Sequence, residues 1–309
     1  VESTCKILWK FLSRKCSKFP IETKLNTPEK EENYLGSVVV QIENLWHTYE
    51  GKVDALKGVN LNIYDGEYVA LIGANGSGKT TLCKHLNGLL KPTKGRVLVL
   101  GKDTRKTSVA ELSKYVGYCF QNPDYQIFSS TVYDEVAFGL RMRGMSEELI
   151  KRKVKEALHM MDLAGFEEKY TFSLGLGEKK KVALASVMVT DPKILVVDEP
   201  MTGQDWRGGS DLMNLIDDYH KKGKTVIVVS HDIRAVIEHV NRIVVMNEGK
   251  IVLDAPTYEA FEHLELLKSS YVEPPDIITF SKKFSKKIGQ SLKMLSVDDA
   301  VELIKNICR

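Results

Sequence analysis

Residues 73–81, GANGSGKTT, bring together the residue types that hold a polyphosphate. Their spacing is G-x-x-x-x-G-K-T. Gly73, Gly76 and Gly78 let the backbone turn so that successive N–H groups converge on phosphate oxygens. Lys79 supplies a point charge to the β- and γ-phosphates, and the hydroxyl of Thr80 suits Mg²⁺. Asn75, Gly76, Ser77, Gly78, Lys79, Thr80 and Thr81 are the expected nucleotide-binding set. A second constellation is ILVVDEP, residues 194–200. Here an apolar run delivers Asp198 to a polar edge, where a carboxylate can hold Mg²⁺ or its water. Glu199 follows directly. A carboxylate beside a γ-phosphate can accept a proton from the attacking water or orient it.

Both constellations need rigid elements behind them. Residues 68–72 form an apolar run before the glycine loop, and Leu82, Leu86 and Leu89 follow it at helical spacing. Strand, loop and helix in that order place a helix N-terminus, with its positive dipole end, under the phosphates. Further β-rich runs occupy 38–42, 97–100, 115–120, 194–197, 225–229 and 243–246. Several are almost wholly apolar, as strands covered on both faces must be. Residues 146–162 read as a helix with Ser146 at its N-cap and Ile150, Val154, Leu158 and Met161 along one face. Alternating strands and helices predict an α/β fold with a mainly parallel sheet. Residues 123–180 predict an inserted helical subdomain, and 261–309 a helical extension in which Ser296 and Asp299 form a capping box.

Composition narrows the class. The 309 residues are 43% hydrophobic and 28% charged, with a net charge of +3, too small to argue for nucleic acid. The five cysteines are scattered without a CxxC pair, which argues against a zinc site or a disulfide framework and fits a reducing compartment. No apolar run approaches the roughly 20 residues that span a bilayer, so service to a membrane must come from outside it. Residues 1–37 divide into a basic stretch with helical apolar spacing, 5–19, and a polar linker, 20–37. The interrupting charges do not suit a secretory signal. The run SKKFSKKI at 281–288 reads as a solvated helix face. Residue 1 is Val, which points to a start within a longer polypeptide or at a non-standard codon.

With the two motifs placed, residues 38–260 resemble the ABC ATPases. The resemblance implies a P-loop NTPase core with a mainly parallel sheet, an antiparallel β subdomain and the inserted helical subdomain. It implies ATP hydrolysis with Mg²⁺, catalysed through Glu199, His231 and Lys79. Tyr49 matches the aromatic that stacks on adenine. Gln121 matches the glutamine that reaches Mg²⁺ beside Thr80 and Asp198 and faces a transmembrane partner. His231, in VIVVSHDI, matches the switch histidine, and Asp205 the D-loop aspartate. The signature loop departs from the family's LSGGQ: residues 174–178 are LGLGE, so Gly175 stands for the usual Ser and Leu176 for a Gly, while Gly177 is kept and Glu178 follows. That loop closes on the nucleotide of an opposite subunit. Losing a hydroxyl donor to a charged group removes roughly 1.5–3 kcal/mol. The composite site it completes is therefore expected to be the weaker of two. The D-loop, MTGQDW in place of TSGLDP, departs as well. Both departures point to a heterodimer or a tandem fusion rather than a self-sufficient homodimer.

Residues 119–139, CFQNPDYQIFSSTVYDEVAFG, are similar to the energy-coupling factor and cobalt/nickel-import ATPases, as is the C-terminal extension. This implies an importer of a vitamin or a transition-metal ion. Its expected partners are a second ABC ATPase domain, a transmembrane coupling protein and a substrate-binding membrane subunit, at the cytoplasmic face of the membrane. No nucleic acid is expected. The rival from another class is a soluble ABC ATPase not tied to a transporter; the long coiled-coil insertion of DNA-repair members and the double cassette of translation members are not seen in the sequence.

Overall fold

Ten strands lie among the described residues, here numbered in order: β1 (Val38–Tyr49), β2 (Val53–Tyr64), β3 (Tyr68–Ile72), β4 (Lys94–Val99), β5 (Lys102–Asp103), β6 (Val116–Cys119), β7 (Ile194–Asp198), β8 (Thr225–Ser230), β9 (Arg242–Asn247) and β10 (Lys250–Pro256). They come from a computed structural model that describes residues 36–50, 53–288, 292 and 294–308. The basic stretch 5–19 and most of the linker, 20–35, lie outside the described residues. The strands form two sheets, a four-stranded antiparallel one in the order β2-β1-β4-β5 and a six-stranded one in the order β10-β9-β3-β8-β7-β6. In the larger sheet β9, β3, β8, β7 and β6 are parallel, and only β10 runs against its neighbour.

The parallel strands β3, β7 and β8 are buried along their whole length. That is why their sequences lack polar alternation. The strands that sequence patterning did not single out are of another kind. In β2, Val59, Leu61 and Ile63 point inward while Asn60 and Asn62 point to solvent, and β10 is a half-exposed edge.

Among the described residues eight α-helices belong to one compact unit, Tyr34–Pro274: α1 (Lys79–Leu86), α2 (Val109–Leu112), α3 (Val132–Met142), α4 (Glu147–Met160), α5 (Leu176–Met188), α6 (Trp206–His220), α7 (Thr257–Ala260) and α8 (Leu264–Ser269). Helix α1 is held between the sheets: Leu82 and Leu86 join Ile42, Leu61, Ile63, Val69, Leu71 and Val244 in one apolar core. Burying each leucine contributes about 2 kcal/mol. Between β6 and β7 the chain is helical. Thr131 caps α3 by accepting from the Asp134 N–H at 3.1 Å, and Ser146 precedes α4 without a side-chain cap bond. Ile150, Val154, Leu158 and Met161 are all buried, as their spacing requires. Gln126 ties this region to β6. Its Oε1 accepts from the Phe120 N–H at 3.2 Å, and its Nε2 donates to the Ala183 carbonyl of α5 at 2.7 Å.

Residues 257–274 pack within this unit. Thr257 Oγ1 donates to the Val240 carbonyl at 2.6 Å, and Phe261, Leu267 and Val272 are buried. A second unit includes Pro275–Arg309. It carries α9 (Asp276–Ile288) and α10 (Val297–Cys308). The capping box at the start of α10 forms: the Asp299 N–H donates to Ser296 Oγ at 3.1 Å, and the Ser296 N–H to Asp299 Oδ2 at 2.9 Å. Phe284, Leu292, Met294 and Leu303 make this unit's apolar cluster. On α9, Ser281 and Phe284 are buried while Lys283 and Lys286 are exposed.

Candidate functional site

Parallel strands in register end along one edge. Ile72 pairs with Ser230, and Asp198 with Val229. The loops that leave β3, β7 and β8 therefore issue side by side at the C-terminal edge of the sheet, where open α/β sheets bind ligands.

The β3 loop carries residues 73–78 into α1. Gly73 has φ 154°, and a Cβ there would stand 2.2 Å from the Met246 carbonyl oxygen, so no side chain fits. Gly78 caps α1 at φ 104°. Asn75 and Gly76 lie exposed at the crest of the loop, and Ser77 is buried. Lys79 is almost fully buried, and its Nζ donates to the carbonyls of Gly73 at 2.7 Å and Ala74 at 3.0 Å. Burial lowers its pKa, while Glu199 and Asp198 oppose that. The ammonium thus sits inside the curl of its own loop, beside the N–H groups of the first helical turn, which lack intrahelical acceptors.

Asp198 ends β7. Its Oδ2 accepts from Thr80 Oγ1 and from Tyr118 OH, each at 2.9 Å. Its Oδ1 is buried with no hydrogen-bond partner among the described residues, and so is Ser77 Oγ. A buried, unpaired carboxylate oxygen costs free energy unless something occupies it. The donors are hard oxygens, Asp198 and the Thr80 hydroxyl, which suits Mg²⁺. Among the described residues no cluster of three or more His, Cys, Asp or Glu could hold a metal by itself. A divalent ion here would need further oxygens from a phosphate.

Glu199 follows at φ 50°, in the left-handed region, although it is not glycine. Such a conformation costs on the order of 1 kcal/mol and marks a constrained position. The side chain is buried, and its Oε2 lies 2.9 Å from His231 Nδ1 and 3.4 Å from Thr202 Oγ1. Nδ1 meets a carboxylate, so it carries the proton and leaves Nε2 as the second ring nitrogen. His231 comes from the end of β8 and is half exposed.

Of the remaining expected residues, Tyr49 touches the phosphate-loop helix, whereas residues 175–178 and Asp205 make no hydrogen bond to Lys79, Thr80, Asp198 or Glu199 among the described residues. Tyr49, at the end of β1, is 42% exposed, with its hydroxyl 3.2 Å from Thr81 Oγ1 and its ring edge-on to His47. Gln121 follows β6 with an exposed side chain that makes no hydrogen bond to Thr80 or Asp198 among the described residues. Gly175, Leu176, Gly177 and Glu178 form the N-terminus of α5. Gly175 has no hydroxyl to cap that helix, and Glu178 Oε2 instead accepts from the Gly175 N–H at 2.9 Å. Leu176 rests on the chain's own Gly203, its Cδ2 lying 2.7 Å from where a Cβ would stand. Asp205 Oδ1 caps α6 by accepting from the Gly208 N–H at 2.7 Å. Residues that sequence reasoning did not single out include Tyr118, Thr202, Lys180 and His85. Tyr118, Lys180 and His85 meet partners 80, 19 and 38 positions away, which a lone Tyr, Lys or His does not signal, whereas Thr202 meets Glu199 three residues back in its own loop.

A glycine loop, a helix N-terminus and two successive carboxylates at the edge of one parallel sheet define the P-loop nucleotide-binding class of α/β proteins. Similarity to known proteins narrows the class. The ABC transporter family profile matches residues 56–202. A putative ABC transporter ATP-binding protein of Caldanaerobacter subterraneus is 43% identical over 277 residues, 90% of this chain and 48% of the relative. The energy-coupling factor transporter ATP-binding protein EcfA of Methanocaldococcus jannaschii is 39% identical over 81% of this chain and 90% of its own length. Among solved structures, CbiO1 of Clostridium perfringens, described as part of the ABC transporter complex CbiONQ, superposes with a TM-score of 0.67 at 37% identity, covering 75% of this chain and 94% of its own. A dimeric ATP-binding cassette in a post-hydrolysis state with ADP and Pi superposes with a TM-score of 0.65 at 31% identity, covering 71% of this chain and 98% of that one. The chain belongs to the ABC transporter ATP-binding proteins. It spans about half the length of the Caldanaerobacter relative and most of the Methanocaldococcus one. No described helix is long and apolar enough to cross a membrane.

Proposed function

We propose that this chain is the ATP-hydrolysing subunit of an energy-coupling factor type importer. In this reading it docks peripherally on the cytoplasmic face of the membrane and drives uptake of a vitamin or a transition-metal ion. The observation that carries the reading is the convergence of Lys79, the Thr80–Asp198 pair and the Glu199–His231 pair at one sheet edge. Its subtype is supported by the identities to EcfA and CbiO1.

The residues divide the work as follows. Residues 73–81 bind the nucleotide's phosphates through backbone N–H groups, and Lys79 exchanges its loop carbonyls for phosphate oxygens. Thr80, Asp198 and Gln121 would hold Mg²⁺, which would supply neutralisation of developing phosphate charge. Tyr118 keeps Asp198 oriented through its hydrogen bond to Oδ2. Glu199 orients the attacking water and accepts its proton, with His231 Nδ1 holding the carboxylate in place. Tyr49 offers its exposed ring to the base. Gly175, Leu176, Gly177 and Glu178 face the nucleotide of a second cassette, and Asp205 lies at the same junction. Closure of two cassettes would move the helical segment between β6 and β7 against a transmembrane coupling protein, which joins a substrate-binding membrane subunit. Gly175 and Leu176 support a pair in which the second cassette supplies the regular signature loop.

The test is calorimetry and turnover with Mg-ATP, alone and beside a second cassette, for the wild type and Glu199→Gln. The variant should bind ATP, hydrolyse at under about a hundredth of the wild-type rate and accumulate as a closed dimer. Unchanged turnover in the variant removes Glu199 from its role. No nucleotide uptake by the folded wild type removes the whole reading.

A further inference from the structure

Lys180 sits on α5, four residues beyond Leu176. Although charged, it is only 6% exposed. Its Nζ donates to three backbone carbonyls of one loop: Glu199 at 3.0 Å, Pro200 at 2.8 Å and Thr202 at 2.7 Å. An ammonium has three donors, and all are thereby used. Few side chains could serve three carbonyls that diverge from a single point. An amide offers two N–H groups, and an apolar chain offers none.

The gripped loop begins at the residue read above as the proton acceptor. Glu199 holds φ 50°, a conformation that persists only where its surroundings over-determine it. Its N–H donates to the Val229 carbonyl of β8 at 2.9 Å. Its carbonyl accepts from the Thr202 N–H within the loop at 3.3 Å and from Lys180 outside it. The peptide unit that aims the carboxylate is thus fixed on one side by the sheet and on the other by α5. The same helix meets the loop again one turn earlier. Leu176 fills the space beside Gly203, and Gln204 Oε1 lies 3.0 Å from where a Cβ on Gly177 would stand. Residues four apart share a helix face, so Leu176 and Lys180 form one contact surface against 199–204.

We propose that Lys180 is a positioning residue for Glu199, its ammonium fixing the backbone from which the carboxylate projects and joining the signature-loop helix to it. This rests on the reading of Glu199 given above. Without the ammonium, three carbonyls lose a charged donor, those of Glu199 and Pro200 in buried positions, and the loop can relax away from the left-handed turn. The carboxylate then leaves its 2.9 Å contact with His231. The phosphate grip at 73–81 makes none of the three Lys180 hydrogen bonds and should stay. The consequence in a paired cassette is directional. Movement of the signature loop on the partner's nucleotide reaches this chain's own Glu199 through Lys180.

The experiment uses the full chain under the conditions in which wild type turns over, with its second cassette if one is required. Mg-ATP affinity by calorimetry and steady-state kcat and KM are measured for wild type, Lys180→Met, Lys180→Arg and Glu199→Gln. Lys180→Met should lower kcat roughly 10- to 100-fold, the scale of a misaimed catalytic group, with KM and nucleotide affinity within about threefold of wild type. Lys180→Arg, which keeps the charge but spreads its donors over a planar fork, should recover part of the lost kcat. A kcat for Lys180→Met within about twofold of wild type would overturn the proposal. So would an Arg variant no better than Met. So would loss of nucleotide affinity or of the folded state along with kcat, since Lys180 would then hold the fold rather than the carboxylate. If Glu199→Gln itself turns over normally, the underlying reading has failed. An active Lys180→Met beside an inactive Glu199→Gln refutes only the role of Lys180.

Discussion

Acid should destabilise the fold through His85, the buried imidazole of the phosphate-loop helix. His85 is fully buried on α1. Its Nδ1 lies 2.7 Å from the Thr81 carbonyl, which only accepts, so Nδ1 carries the proton and Nε2 faces His47 Nδ1 at 3.2 Å as an acceptor. His47 Nδ1 is also 3.2 Å from the Lys91 carbonyl, and Tyr49 packs edge-on against His47. Burial, with a smaller contribution from His47, pushes the pKa of His85 down to about 4, and the carbonyls of Thr81 and Lys91 only partly offset this. In the unfolded chain the ring titrates near about 6.5. The unfolded state therefore binds the extra proton first as pH falls. The stability contribution is whole above about pH 6.5 and is lost progressively toward about pH 4. The gap between the two values corresponds to about 3 kcal/mol, most of it gone by about pH 4.5. Carboxylates titrate in the same range, so the contribution has to be isolated with His85→Asn. Asparagine keeps a donor for the Thr81 carbonyl but does not titrate. Urea unfolding of both proteins at about pH 7.5 and about pH 4.5 measures the difference. At the higher pH the variant should be less stable by about 1–2 kcal/mol. At the lower pH the wild type should have lost about 2–3 kcal/mol of that advantage, so the gap closes or reverses. A gap that changes by less than about 0.5 kcal/mol would refute the assignment of a neutral, acid-sensitive His85.

Three further outcomes are expected. Lys79→Ala removes the buried ammonium of the loop and should weaken Mg-ATP binding by about 2 kcal/mol, near thirtyfold, in calorimetry. Gly73→Ala would place a Cβ 2.2 Å from a backbone oxygen of Met246; the loop must shift, and a loss of about 2–3 kcal/mol in chemical denaturation together with impaired nucleotide binding should follow. Glu67 is fully buried, with both carboxylate oxygens 3.0 Å from Arg242 Nη1 and Oε2 accepting from the Tyr64 N–H at 2.8 Å. Glu67→Gln leaves the guanidinium with Asp254 as its carboxylate partner beside the Asn62 carbonyl and should destabilise by about 3 kcal/mol in the same assay, with nucleotide affinity unchanged.

Local chemistry made much of this legible from residue order. The apolar runs of β3, β7 and β8 show in the sequence because strands covered on both faces cannot carry polar residues. The glycines at 73 and 78 are needed because the backbone there takes φ values that other residues avoid. The Ser296–Asp299 cap could be read because its bonds span three residues. The half-exposed β2 and β10, whose polar and apolar residues mix, could not be separated from loops by the same reasoning. What only tertiary structure decided is which distant groups meet. Sheet order places Tyr118 and Thr80 on one oxygen of Asp198, across 80 and 118 positions of chain. Packing of α5 brings Lys180 to the carbonyl of Glu199 and Leu176 to Gly203. Propensities, caps and turns act over about four residues and leave their marks in the sequence. A contact between strands or helices far apart in the chain exists only after the parallel sheet has assembled, so no local pattern of residue types encodes it.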